Sequence, residues 1–305
     1  MSKPQTAQQI IEQLIIEQRL PAEFLNMAAD YFLPLADHIN RWCHQHQQQT
    51  LVVGINGAQG TGKSTLSELL KRLLHGRNLS CVVLSIDDLY LTRAQRSELA
   101  RDIHPLLQTR GVPGTHDLAL GLSLIAALKA ADADSRIHIP RFDKVQDDRR
   151  PLVDWELHEG RVEVIILEGW CVGARPVSLS GAPINTLEQQ HDADGRWRAF
   201  VEHQLQAYQR LFRDIDMLIM LKAPSMDSIV EWRLLQEEKL RAGSDQKEPS
   251  AMMDKPELHR FIMHYERLTR LMLETLPEFA DVVFELDSNH TIAATDYRHT
   301  NNDIP

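Results

Sequence analysis

Cysteine is scarce in this 305-residue chain: Cys43, Cys81 and Cys171 stand far apart and form no CxxC pair. This excludes a disulfide framework and a zinc knuckle, and it fits a reducing compartment, the cytoplasm. The fourteen histidines show no HExxH or comparable spacing, and no GxSxG elbow occurs. A bound transition metal and a Ser/His/Asp hydrolase are therefore not expected. Basic charge is short as well, 33 Lys+Arg against 43 Asp+Glu for a net −10, so no broad basic face is expected to bind nucleic acid or an anionic membrane. Long apolar runs are missing: none approaches the ~20 residues that cross a bilayer. Met1 to Gln18 also lacks the basic and apolar regions of a signal peptide. There is no internal repeat.

What is present is alternation. At 43% hydrophobic content the chain can bury a large core. Ile10, Leu14, Ile15, Phe24, Leu25, Ala28, Phe32 and Leu35 recur at threes and fours and predict helices before the first strand. Strands are then expected at Leu51 to Asn56, Cys81 to Ile86, Val162 to Leu167, Met217 to Leu221 and Val282 to Leu286. Helices are expected at Thr65 to Leu74, Leu118 to Ala131, Trp197 to Phe212 and Met226 to Arg241. Val164 to Leu167 and Met217 to Leu221 are almost wholly apolar, as strands covered on both faces are. The expected fold is a three-layer α/β domain with a mostly parallel sheet. Its parts are a helical extension over 1–48, the main domain over 49–295 and a polar, frayed tail over 296–305. The Gly-, Pro- and Ser-rich stretches 172–196 and 242–256 read as loops or insertions.

Between the first expected strand and helix lies Gly57-Ala58-Gln59-Gly60-Thr61-Gly62-Lys63-Ser64, which matches G-x-x-x-x-G-K-[ST] at every fixed position. Glycines let the backbone wrap an anion with its N–H groups inward, and the following helix adds its positive dipole end. Lys63 is expected to reach the β- and γ-phosphates of ATP and Ser64 to ligate Mg²⁺, with Thr65 supporting the phosphate contacts. GTPases, motor ATPases and transporters share this loop, so it does not by itself name a reaction. The guanine-reading N-K-x-D element is absent.

The second strand ends in Asp87-Asp88-Leu89-Tyr90, at the carboxyl edge of the sheet, where open α/β folds bind ligands. Asp87 is the first candidate for the base that accepts a substrate hydroxyl proton; Asp88 either touches metal-bound water or caps the next helix turn. Glu168 ends a buried strand where a Walker-B-like acid would hold the metal or its water. Arg110, followed by a glycine, is suited to clamp a small carboxylate, and Arg141 is a second candidate, with Lys144 a weaker one. Asp117 reads equally as a helix N-cap. Arg233 and Glu237, four apart, suit a pair on a helix surface, and Trp170 and Trp232 suit packing.

The series Gly57 to Ser64, Ser85-Ile86-Asp87-Asp88-Leu89-Tyr90, Arg110 to Asp117, Pro140-Arg141-Phe142-Asp143-Lys144, Leu167-Glu168-Gly169-Trp170 and Trp232-Arg233-Leu234 resembles the phosphoribulokinase, uridine kinase and pantothenate kinase superfamily. Within it, the whole series is similar to the D-glycerate 3-kinases. The resemblance spans roughly residues 50 to 290, with the motif order as its basis. Leu89 and Phe142 stand where the family usually has an aromatic residue and a tyrosine, and neither change removes a charge or a proton acceptor. The resemblance implies a kinase that uses ATP and Mg²⁺ to phosphorylate a small hydroxylated, carboxylate-bearing metabolite, D-glycerate foremost. It also implies a lid role for Arg233, and Tyr90, His116 and Asp117 join Asp88, Arg110 and Arg141 as substrate-binding candidates. A uridine- or pantothenate-type kinase is the alternative, and a nucleotide-dependent regulator or chaperone the alternative of another class.

Overall fold

The computed structural model describes residues 5–243 and 255–298. The chain opens with α1 (Ala7–Gln18), α2 (Phe24–Met27), a π-helical turn (Ala28–Phe32) and α3 (Leu33–Gln45). Thr6 and Gln9 close a reciprocal capping box at the start of α1, which fixes that terminus locally. There follow β1 (Leu51–Gly57), α4 (Lys63–His75), β2 (Cys81–Ser85), α5 (Arg93–Asp102) and α6 (Leu118–Lys129). Four short strands come next: β3 (Arg136–Ile139), β4 (Phe142–Asp143), β5 (Asp148–Arg149) and β6 (Glu156–Glu159). The remainder is β7 (Val164–Gly169), α7 (Thr186–His191), α8 (Arg196–Phe212), β8 (Met217–Lys222), α9 (Met226–Gly243), α10 (Lys255–Thr275), β9 (Val282–Leu286) and β10 (Ile292–Tyr297).

The main sheet runs β10-β9-β8-β1-β7-β2, parallel throughout except for β10, which pairs antiparallel to β9. Strand β1 is central, with Leu51 opposite Val164 on one side and Val53 opposite Met217 on the other. Successive residues face opposite layers: Val53, Ile166 and Ile219 join the core beneath α1 to α4, while Val52, Ile165 and Leu218 join the core beneath α6, α8 and α10. A sheet covered on both faces leaves one place for polar chemistry, the carboxyl ends of its strands. The expected three-layer architecture is observed. Among the described residues no helix is long and apolar enough to cross a membrane.

The helices before β1 are part of this core. Ile10, Leu14, Phe32, Leu35 and Ile39 pack in the same cluster as Ile55, Leu70 and Phe284, and Arg72 of α4 pairs with Glu17 of α1 at 2.7 Å. Leu35 is fully buried, so Leu35→Ala leaves a cavity in the shared layer and is expected to cost about 2–5 kcal/mol in urea unfolding. A cost below ~1 kcal/mol would mean that the extension does not contribute to the core it touches.

Two expectations need correction. The stretch 172–196 is not all loop: it contains α7, set by Asn185 accepting from the Glu188 N–H, and a buried ion cluster. There Arg198 Nε meets Asp192 at 2.7 Å and Arg267 Nε meets Glu188 at 2.8 Å, a tertiary arrangement that composition does not reveal. The tail does not begin at Asp296, because Asp296 and Tyr297 complete β10 against Val283 and Val282. In the stretch 242–256, residues 244–254 lie outside the described residues, and Lys255 already begins α10.

Candidate active site

Strand β1 delivers the chain to Gly57 at the sheet's carboxyl edge, and the loop from Gly57 to Gly62 turns it into α4. Gly60 and Gly62 have φ of +86° and +89°, the left-handed region that favours glycine. A Cβ on Gly60 would also lie 2.7 Å from Trp232 Cβ, so α9 packs directly on this loop. Thr61 is buried and closes the turn by donating to the Ala58 carbonyl at 2.9 Å. No side chain caps the start of α4, which leaves its first N–H groups and positive dipole end available to an anion.

Two acids, Glu168 and Asp87, lie close enough to this loop to feel the Lys63 charge. Glu168 is buried at the end of β7, next to β1, and accepts from Ser64 Oγ through Oε1 at 3.3 Å. Its Oε2 is buried with no hydrogen-bond partner among the described residues. Burial pushes the Glu168 carboxyl above its ordinary range; the Lys63 charge partly opposes this, and the charge of Asp87 reinforces it. An under-satisfied carboxylate oxygen beside a serine hydroxyl fits a divalent cation carried on nucleotide phosphates.

Asp87 follows β2 on a 3₁₀ turn whose first N–H groups are partly held by Ser85. Its Oδ1 accepts from Tyr90 Oη at 2.8 Å and its Oδ2 from Lys144 Nζ at 2.8 Å. Burial pushes its carboxyl up, but the charges of Lys144 and Lys63 and these two hydrogen bonds outweigh burial and hold it well below the ordinary carboxylate range. Asp87 is therefore an anion at neutral pH. Asp88 turns the other way: Oδ1 accepts the Phe142 N–H at 2.9 Å and Oδ2 meets Arg141 at 3.2 Å. It anchors β4 and does not cap the following turn.

The remaining candidates are tied to other side chains or to backbone groups around Asp87. Arg110 pairs with Asp147 and lies over the Phe142 ring at 5.7 Å. Arg141 is shared by Asp88 and Glu156, which directs it toward the outer edge of β2. His116 stacks on Tyr90 with ring centroids 4.5 Å apart and shares a 2.6 Å hydrogen bond with Tyr208, and burial pushes its imidazole down to about 4. It is a neutral support beneath Tyr90. Asp117 caps α6 through the Leu120 N–H at 3.0 Å and also meets Arg149 at 3.0 Å. Thr65 donates to Gln18 of α1 at 2.8 Å and faces away from the loop, because the helix places it on the flank under the extension. Arg233 follows the loop-packing Trp232 and pairs with Glu237; Trp170 is buried and donates to the Gly111 carbonyl at 2.9 Å.

Sequence reasoning missed three contributors. Arg96, fully buried in polar α5, holds the Leu91, Gln108 and Asp147 carbonyls and the Asp147 carboxylate, fixing the turn of the β4–β5 hairpin. Tyr265 of α10 donates to the Arg110 carbonyl at 3.1 Å and meets Trp170 edge-on. Arg149 ties the hairpin to the Tyr90 carbonyl at 2.9 Å. The spacing of Leu258, Ile262, Tyr265, Leu268 and Met272 would have revealed α10; neither arginine carries a comparable signal.

The geometry defines a P-loop phosphotransferase: an anion cradle, an acid beside its serine and a second acid on the neighbouring turn. Comparisons with known proteins agree. The KAP family P-loop domain matches residues 31–147. The Schizosaccharomyces pombe protein "Uncharacterized kinase mug58" is 35% identical over 224 residues, 70% of this chain and 78% of that protein. The Arabidopsis thaliana "D-glycerate 3-kinase, chloroplastic" is 29% identical over 234 residues, 74% of this chain and 48% of that longer protein. A solved D-glycerate 3-kinase from Cryptococcus neoformans superposes with a TM-score of 0.70 at 26% identity, covering 87% of this chain and 98% of that one. The chain belongs to the P-loop kinase family that these proteins share, and its activity is that of a phosphotransferase.

Proposed function

We propose that the protein transfers the γ-phosphoryl group of Mg-ATP to a hydroxyl of D-glycerate or a closely similar small hydroxy acid. The observation that carries this reading is the position of Asp87, an anionic acid whose charge is felt by both Lys63 at the cradle and Lys144 on the β4–β5 hairpin. The first of these cations begins the helix that follows the cradle, and the second donates to Asp87 from the hairpin turn. Lys63 would hold the transferring group, Asp87 would orient the acceptor hydroxyl and take its proton, and Arg233 would neutralise charge from the lid once freed from Glu237. Mg²⁺, held with the nucleotide by Ser64 and Glu168, would neutralise charge on the phosphate oxygens. A phosphoryl transition state that is loose asks little basicity of the acceptor's partner, so an acid with a depressed pKa suits late proton transfer.

Glycerate is supported over uridine and pantothenate by the Lys144 cation on Asp87 and the Arg110 cation near it, and by the names of two relatives. A coupled assay of ADP formation against D-glycerate, L-glycerate, uridine and pantothenate tests the reading. D-Glycerate is expected to give the highest kcat/KM; uridine or pantothenate turning over faster, with the glycerates inert, would reassign the substrate.

A further inference from the structure

Each carboxylate oxygen of Asp87 accepts one hydrogen bond, Oδ1 from Tyr90 and Oδ2 from Lys144, each at 2.8 Å, and keeps a second lone pair. An acceptor hydroxyl that approaches Asp87 has to pass one of these two donors. Tyr90 is buried and stacked between His116 and Phe142, so it stays. Lys144 differs. Its side chain is 60% exposed, and it sits in the turn of the β4–β5 hairpin beside the exposed Val145. The hairpin's base is fixed, by Asp88 holding the Phe142 N–H and by Arg149 holding the Tyr90 carbonyl. Its tip is held as well, by Asp143 accepting the Val145 and Gln146 N–H groups and by Arg96 donating to the Asp147 carbonyl at 2.6 Å. Lys144 is thus a flexible, solvent-exposed side chain on a fixed turn, paired with a carboxylate that is half as exposed as itself. Two further arginines around the hairpin already have acids that are not the base: Asp147 for Arg110 and Asp117 for Arg149.

Resting on the kinase reading above, we infer that Lys144 is both the carboxylate reader and the cover of the base. The carboxylate of a hydroxy acid draws Lys144 away from Asp87, and this exchange exposes Oδ2 to the hydroxyl beside that carboxylate. The hydroxyl oxygen then bonds the γ-phosphorus and its proton passes to Asp87 Oδ2. The bond from phosphorus to the β-phosphate oxygen breaks with its electron pair leaving on ADP, and Lys144 keeps its protons throughout. An acceptor without an anion, water included, leaves the pair closed. The substrate class is therefore hydroxy acids whose carboxylate lies next to the acceptor carbon chain, and the same contact suppresses wasteful hydrolysis of ATP.

The test uses the full chain, its Lys144→Met and Lys144→Arg variants, and three measurements: ADP formation with D-glycerate, with neutral glyceramide, and with no acceptor. Lys144→Met is expected to lower the glycerate-to-glyceramide ratio of kcat/KM by more than about tenfold and to raise acceptor-free ATP hydrolysis several-fold, whereas Lys144→Arg keeps a cation on the turn and preserves the ratio. A wild-type ratio in Lys144→Met overturns the inference, whatever happens to kcat. If the wild-type protein phosphorylates no hydroxy acid, the glycerate reading fails, and acceptor-free hydrolysis then decides: a rise in Lys144→Met supports covering of the base, and no rise overturns it too.

Discussion

Replacing Asp87 by asparagine is expected to lower kcat by about 10²–10⁴-fold while leaving the affinity for an ATP analogue within about twofold of wild type. The substitution conserves shape, and the amide oxygen can still accept the Tyr90 hydroxyl now held at 2.8 Å. What is lost is the anion: an amide cannot take the hydroxyl proton, and its NH₂ would face the Lys144 ammonium, donor against donor. The phosphate cradle is built from β1 and the first turn of α4, so nucleotide binding has no direct dependence on this side chain. Calorimetric binding of a non-hydrolysable analogue, together with kcat from the coupled assay, separates the two effects. Turnover within about threefold of wild type would remove Asp87 from the chemistry and turn attention to Glu168, the other acid at the cradle.

How much of this was legible beforehand depends on where the contacts lie in the chain. The phosphate loop could be read because its chemistry is contiguous: glycine conformation, lysine and serine are set within eight positions by one turn, between a strand and a helix that periodicity also reveals. Asp87 and Glu168 were legible for a related reason, since each ends a strand whose apolar run announces it. The pairings were not. Lys144 and Asp87 are 57 residues apart, and nothing in PRFDK says that the hairpin folds back over the second strand's edge. Strand β10 escaped because only Ile292 of its six residues is buried, so an edge strand reads as polar tail. Helix α5 escaped because its one buried residue is Arg96, which fills the place of an apolar stripe with hydrogen bonds to loop carbonyls. Local rules identify groups at strand ends; which cation meets which acid is decided by tertiary folding.

Lys63→Met should be the other severe loss, with a different signature: kcat lower by about 10²–10³-fold and Mg-ATP affinity weakened as well, because the removed charge acts on the bound nucleotide and on the transferring group alike. Among the described residues Lys63 Nζ makes no ion pair within 4 Å, yet its charge lowers Asp87 and opposes the upward push of burial on Glu168. It is a cation held between acids without being neutralised by any one of them, the arrangement that a polyanion would complete. Methionine keeps the length and packing of the stem, and Lys63 begins α4 at the surface of the loop, so thermal unfolding should change little. Both acids shift the same way on the loss: with Lys63 gone, Asp87 and Glu168 become easier to protonate, and Glu168, already raised by burial, is the first to lose its charge as pH falls. The variant's residual activity should therefore decline on the acidic side at a higher pH than that of the wild type. An unchanged Mg-ATP affinity combined with an unchanged acidic limb would show that Lys63 points away from both the nucleotide and the acids, and the charge arrangement described for this site would have to be redrawn.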